Sequence, residues 1–181
     1  STSWTPTHTF TTAGTFTVTL TVTDNQDATD STTTTVTTVD NVAPTAAASV
    51  TPGSGKAVFT TFAFSSTGST DSDGTIVAYD WDFGDGSPHS NLPAPSYAYP
   101  AAGNYTATLT VTDDNGATDE ATVAVNVVNN VAPTAAAQVA PSSGKTNITT
   151  FNFTSTGSAD SDGTIASYSW DFGDSTGAST A

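Results

Sequence analysis

Cysteine, methionine and arginine are absent from this 181-residue chain. Without cysteine there is neither a disulfide framework nor a thiolate metal site, and thiol usage says nothing of the redox compartment. Basic residues are scarce. Lys56 and Lys145 stand against 17 acidic residues, for a formal net charge of −15. Phosphate binding needs clustered lysine and arginine, so nucleic acid is not expected as a partner, and anionic membrane surfaces are disfavoured. The same charge favours solubility and cation binding. No apolar run approaches the ~18 residues of a membrane-spanning helix, so no membrane insertion is expected. With no methionine and no signal-peptide pattern at its start, the chain reads as a processed product or a window of a longer one.

What is present is β sequence. Charged residues make up only 10% of the chain, whereas disorder combines low hydrophobicity with high charge. Valine, phenylalanine, tyrosine and tryptophan alternate with threonine, whose β-branched side chain suits the solvent face of a strand.

The sequence repeats itself every 89 residues without a gap. Val42-Ala43-Pro44-Thr45-Ala46-Ala47-Ala48 recurs as Val131-Ala132-Pro133-Thr134-Ala135-Ala136-Ala137. Asp71-Ser72-Asp73-Gly74-Thr75-Ile76 recurs from Asp160, and Trp81-Asp82-Phe83-Gly84-Asp85 from Trp170. Leu20-Thr21-Val22-Thr23-Asp24 anticipates Leu109-Thr110-Val111-Thr112-Asp113. These matches imply one complete repeat over 42–130, the back half of a repeat over 1–41 and the front half of another over 131–181. Ser1-Thr2 and Ser179-Thr180 hold equivalent positions, so the chain spans two periods plus about three residues.

Alternation predicts strands over 45–50, 58–65, 76–83 and 122–128, and a further one through Tyr105, Ala107, Leu109 and Val111. In the second, Val58, Thr60, Phe62 and Phe64 share a face; in the third, Val77, Tyr79, Trp81 and Phe83 do. Seven or so short strands in about 90 residues, with no helical period, indicate an all-β, antiparallel β-sandwich.

The strings Asp71-Ser72-Asp73-Gly74, Tyr79-Asp80-Trp81-Asp82-Phe83-Gly84-Asp85-Gly86 and Gly103-Asn104-Tyr105, followed by Leu109-Thr110-Val111-Thr112-Asp113, resemble the polycystic-kidney-disease (PKD) domain. The resemblance covers the complete repeat and both halves. It departs at Ser175, where glycine is expected. It implies tandem immunoglobulin-like sandwiches of the kind that serve as spacers in surface-layer proteins, adhesins and secreted hydrolases.

No catalytic set or cofactor-binding motif is expected. Asp82, Asp85, Asp171 and Asp174 read as turn residues beside glycine rather than an acid/base pair. Trp81 and Trp170 read as core, not as sugar platforms. His8 and His89 fall at unrelated repeat positions. Asn104, Asn147 and Asn152 head N-glycosylation triplets of a kind that arises readily in threonine-rich sequence. Calcium is the cofactor the sequence favours. Sandwich topology brings the segment before the first strand, the second loop and the sixth strand's end to one pole, gathering Asn41, Asp71, Asp73 and Asp113, all hard oxygen donors. Calcium at such positions in some PKD domains strengthens the expectation. The repeat equivalents are Asn130, Asp160 and Asp162, with Asp24 of a neighbouring copy completing that set.

The expected function is a structural repeat unit of an extracellular or cell-surface filament or rod. It would assemble head-to-tail with copies of itself or as a covalent tandem array, stiffened by calcium between repeats. The alternatives are a spacer or substrate-binding accessory module of a secreted hydrolase, and an adhesin stalk. Any polysaccharide or protein ligand stays unassigned.

Overall fold

The computed structural model describes residues 4–175 and 179–180. Ser1 and Thr2, which open the first half repeat, lie outside the described residues. Among the described residues there is no helix. Two compact units are distinguished: Ser1–Val50 with Ala63–Pro95 and Thr106–Ala124, and Thr51–Phe62 with Ser96–Tyr105 and Val125–Ala181.

Strands β1 (Gly14–Thr23) and β2 (Thr29–Thr38) pair antiparallel, with Leu20 opposite Thr32. Asp24 caps their turn: its Oδ1 accepts the backbone N–H groups of Gln26 and Ala28 at 2.8 and 2.9 Å. The complete repeat supplies seven strands: β3 (Ser49–Thr51), β4 (Ser54–Lys56), β5 (Phe62–Ser65), β6 (Ile76–Asp82), β7 (Ser96–Tyr97), β8 (Gly103–Asp113) and β9 (Thr118–Val128). They form a three-stranded sheet in the order β3-β5-β7 and a four-stranded sheet in the order β4-β9-β8-β6. In the last half repeat β10 (Gln138–Ala140) pairs with β11 (Asn152–Thr154), and β12 (Ser169–Trp170) with β13 (Ser179–Thr180). This is an all-β sandwich.

The alternating residues of the complete repeat point inward. Trp81, Phe62, Leu109 and Val111 are fully buried, and Phe64, Val125 and Val127 nearly so. Trp81 lies opposite Leu109 across the β6–β8 pair. Phe64 of β5 meets Trp81 and Phe83 from the other sheet, each at a ring separation of 5.2 Å. In the second unit Tyr99 stacks on Tyr105 at 4.2 Å and meets Phe62 edge-on at 5.5 Å. Such off-parallel and offset geometries add to plain area burial.

Three strand expectations shift. The run over 58–65 shortens to β5, because residues 57–59 form a turn with Val58 at φ 66°, leaving Val58 and Phe59 exposed. Thr45 makes only an isolated bridge to Thr70, and the first strand begins at Ser49. A bulge between Ile76 and Ala78 takes Val77 off the inward face, so it is 61% exposed. One pairing is not antiparallel: after Pro52 and Gly53 the chain joins the other sheet, and β4 runs parallel to β9.

Glycine is required at the turn after β6. Gly84 has φ +76°, and a Cβ there would drive into the Thr106 carbonyl. The position of Gly86 (φ +78°) is taken by Ser175 in the last half repeat at φ 66°, so the backbone keeps the left-handed turn without glycine. Trp81→Ala should destabilise the chain by about 3–5 kcal/mol, the range for deleting a large core aromatic. Trp81→Phe should cost less, because the buried Nε1 has no hydrogen-bond partner to lose among the described residues. Denaturant melts of the two variants, beside Trp170→Ala at a half-buried position, check this ordering.

Candidate functional site

The pole expected to gather Asn41, Asp71, Asp73 and Asp113 does so, through N–H donors. Asp113 ends β8 and is 1% exposed. Its Oδ1 accepts the backbone N–H groups of Asn115 and Ala117 at 2.9 and 2.8 Å. Its Oδ2 accepts Asn41 Nδ2 at 2.7 Å. The Asn41 bond is the main cause that holds the Asp113 carboxyl below the usual carboxylate range; burial opposes it, and the turn N–H groups assist. Asp73 Oδ2 accepts the Val42 N–H at 3.1 Å, and Asp71 Oδ1 accepts the Asp73 N–H at 3.3 Å. Asp71 Oδ2 is buried with no hydrogen-bond partner among the described residues.

The second loop repeats this geometry. Asp162 Oδ2 accepts the Val131 N–H at 3.1 Å, and Asp160 Oδ1 accepts the Asp162 N–H at 3.2 Å. Here a cation is present in the chain itself. Lys56 Nζ lies 3.0 Å from Asp162 Oδ2, 2.6 Å from the Asp162 carbonyl oxygen and 3.1 Å from Asn130 Oδ1. The bond from Lys56 is the leading cause that lowers the Asp162 carboxyl below its ordinary range. An ammonium group has three protons, and three oxygens receive them.

In this structure the carboxylates of both loops are engaged by N–H donors, and at the second loop also by Lys56. Among the described residues no three acidic or histidine side chains gather closely enough to hold a metal. Calcium takes six to eight oxygens. At the first loop Asn41 turns its N–H toward Asp113, and at the second Lys56 occupies the carboxylate. Asp24, the residue expected to reach a neighbouring copy, caps its own turn. Lys56 and Asp114, which accepts the Thr75 N–H at 2.9 Å, were not among the expected site residues. The signal for Lys56 was in the sequence: the chain's two cations stand one period apart.

The turn aspartates serve the backbone. Asp82, Asp85 and Asp171 each accept the N–H two residues on, at 2.8, 3.0 and 2.9 Å. The loop after β6 closes on paired bonds between Trp81 and Ser90, which sets His89 beside β6. His89 Nδ1 lies 2.8 Å from Asp80 Oδ2, and Nε2 lies 3.7 Å from Asp82 Oδ2. The hydrogen bond to Asp80, with both nearby carboxylates, raises the His89 pKa.

The PKD domain model matches residues 1–39, 41–127 and 130–181. The chain therefore belongs to the PKD domain family. It is 51% identical over 63 residues to the pre-pro-metalloprotease PrtV of Vibrio cholerae, covering 34% of this chain and 7% of that protein. It is 44% identical over 82 residues to a microbial collagenase of Vibrio alginolyticus, covering 45% of this chain and 10% of that one. The chain thus spans a tenth or less of the curated relatives it matches. Among solved structures, the PKD1 domain of Vibrio cholerae PrtV is 40% identical, covering 48% of this chain and 98% of that domain, with a TM-score of 0.41.

A raised pKa means that the protonated His89 is held more tightly in the folded state. Its contribution to stability is complete below the ordinary histidine range and is lost as pH rises through its own higher pKa. Proton NMR titration should show His89 losing its proton at higher pH than in Asp80→Asn. Equal titration of the two proteins would remove the interaction.

Proposed function

We propose that this chain is a non-catalytic PKD segment that spaces or positions the catalytic part of an extracellular protease of the collagenase or metalloprotease type. The observation that carries the reading is its 44–51% identity to segments of such enzymes. The molecule agrees with that role. The complete repeat closes its core with side chains, and its turn carboxylates are committed to backbone N–H groups. Extracellular placement is part of the proposal, because collagen lies outside cells and an enzyme acting on it must meet it there. The test is a graft. The chain replaces the matching segment of the Vibrio alginolyticus collagenase, and hydrolysis of insoluble collagen is compared with that of a deletion. Activity near the parental level is expected. Activity no better than the deletion would overturn the reading.

A second reading is a structural repeat unit, assembled head-to-tail or as a covalent tandem array, and the gap-free 89-residue recurrence favours it. Phe153 and Phe172 are 47% and 46% exposed, whereas Phe64 and Phe83, one period away, are 2% and 3% exposed. Leu20 and Val22 are 60% and 55% exposed, whereas Leu109 and Val111 are fully buried. A groove of about 260 Å³ lies among Val139, Phe153, Trp170 and Phe172. One half shows the face that strands like β8 and β9 cover in the complete repeat, and the other half carries such strands. A contact of this kind is heterologous and propagates into a fibre rather than closing. Sedimentation of the purified chain should show mass rising with concentration, and Leu20→Asp should abolish the rise. A monomer at all concentrations would reject assembly while leaving the accessory reading untouched.

A further inference from the structure

Strands β8 and β9 are joined by Asp114-Asn115-Gly116-Ala117, and Asn115 is the only asparagine of the chain that precedes a glycine. Gly116 sits at φ +87°, a conformation that suits glycine in a tight turn. The pair is also chemically labile. The backbone nitrogen after an asparagine is placed to attack that asparagine's side-chain carbonyl carbon, and glycine has no Cβ to shield its nitrogen.

The fold leaves Asn115 open to this attack. Asn115 and Gly116 are both exposed, and no atom lies within 4 Å of the place a Gly116 Cβ would take. The bond from Asn115 to Asp113 comes from its backbone N–H, not from its side-chain amide. Other asparagines commit their amides: Asn41 and Asn126 donate through Nδ2, while Asn104 and Asn130 accept through Oδ1. One bond opposes the attack. The Gly116 N–H donates to the Asp113 carbonyl at 3.2 Å, the long end of the ordinary range, so the nitrogen is held lightly.

The turn at 24–28 is the chain's own control. Asp24 Oδ1 accepts the N–H groups of Gln26 and Ala28 at 2.8 and 2.9 Å, just as Asp113 Oδ1 accepts those of Asn115 and Ala117 at 2.9 and 2.8 Å. There Gln26 stands in the place of Asn115, and Asp27, at φ 66°, in the place of Gly116. Glutamine would close a larger ring more slowly, and the Asp27 Cβ shields its nitrogen. The capped geometry therefore forms without the labile pair.

We propose that Asn115-Gly116 is a self-modification site through which the folded chain loosens its own polar pole with age. The Gly116 nitrogen bonds to Asn115 Cγ, and the amide nitrogen leaves as ammonia with the Gly116 proton. Water then opens the succinimide to aspartate or isoaspartate. Isoaspartate puts one extra methylene into the main chain of the turn and a carboxylate beside Asp113 and Asp114. Asp113 is 1% exposed, and two of its acceptor bonds come from this turn. The lengthened turn no longer presents both N–H groups to Oδ1, which leaves a buried carboxylate short of donors.

Prolonged incubation of the folded full chain in mildly alkaline buffer, followed by peptide mapping with mass spectrometry, tests this. Asn115 should gain the mass difference between amide and acid and appear largely as isoaspartate, with Gln26 and the remaining asparagines unchanged. The aged chain should melt at a lower temperature than equally aged Asn115→Gln, which cannot form the succinimide. Asn115 still intact in the folded chain when a urea-unfolded sample has converted overturns the site. Conversion that leaves the melting temperature unchanged overturns the loosening of the pole.

Discussion

Trp81 sits opposite Leu109 across the β6–β8 pair, and Phe64 reaches both Trp81 and Phe83 from the other sheet. That meeting of front-half and back-half side chains is what the rest of the fold depends on. Strands β3 to β6 bring one set of inward side chains, and β7 to β9 bring the other. Neither set leaves water without its counterpart. A segment of about 40–50 residues buries a small share of its surface and is marginal alone. The residues one period away, in 14–38 and 138–172, give the comparison. Their equivalent phenylalanines, leucine and valines keep the strand alternation and the repeat turns, yet stay about half exposed. Side chains of this size left half exposed each forgo roughly 1–1.5 kcal/mol, about half the value of full burial.

Most of the fold was legible because it is written in features that sequence carries locally. Period-two alternation marked β6, β8 and β9, and the exact 89-residue recurrence marked the repeat. Turn chemistry marked Asp82, Asp85 and the glycines beside them. What escaped depends on backbone events that alternation does not encode. Val58 and Phe59 look like strand residues, but a positive-φ turn places them before β5 begins. Val77 has the right parity, but the bulge after Ile76 shifts it outward. The parallel seating of β4 on β9 follows from a change of sheet within two residues, which leaves no hydrophobic trace.

The polar pole was legible as a place but not as a chemistry. Topology alone brought Asn41, Asp71, Asp73 and Asp113 together, because loops at one end of a sandwich must meet. Which cation serves them depends on hydrogen-bond direction, and residue type does not give that. An aspartate accepts equally from a backbone N–H, an amide or an ammonium. Here the backbone takes most of the lone pairs: Asp113 alone receives two turn N–H groups and one side-chain amide.

The same reasoning gives the two lysines a weight their number hides. In a chain of net charge −15, self-repulsion works against any compact or assembled state. Lysines scattered at random would offset that repulsion only weakly, since exposed ion pairs contribute little. Lys56 is not scattered. It sits beside a recurring acidic loop, partly shielded from water and with all three protons accepted, where each unit of charge acts at short range. Placing Lys56 at the junction neutralises an acid where acids crowd.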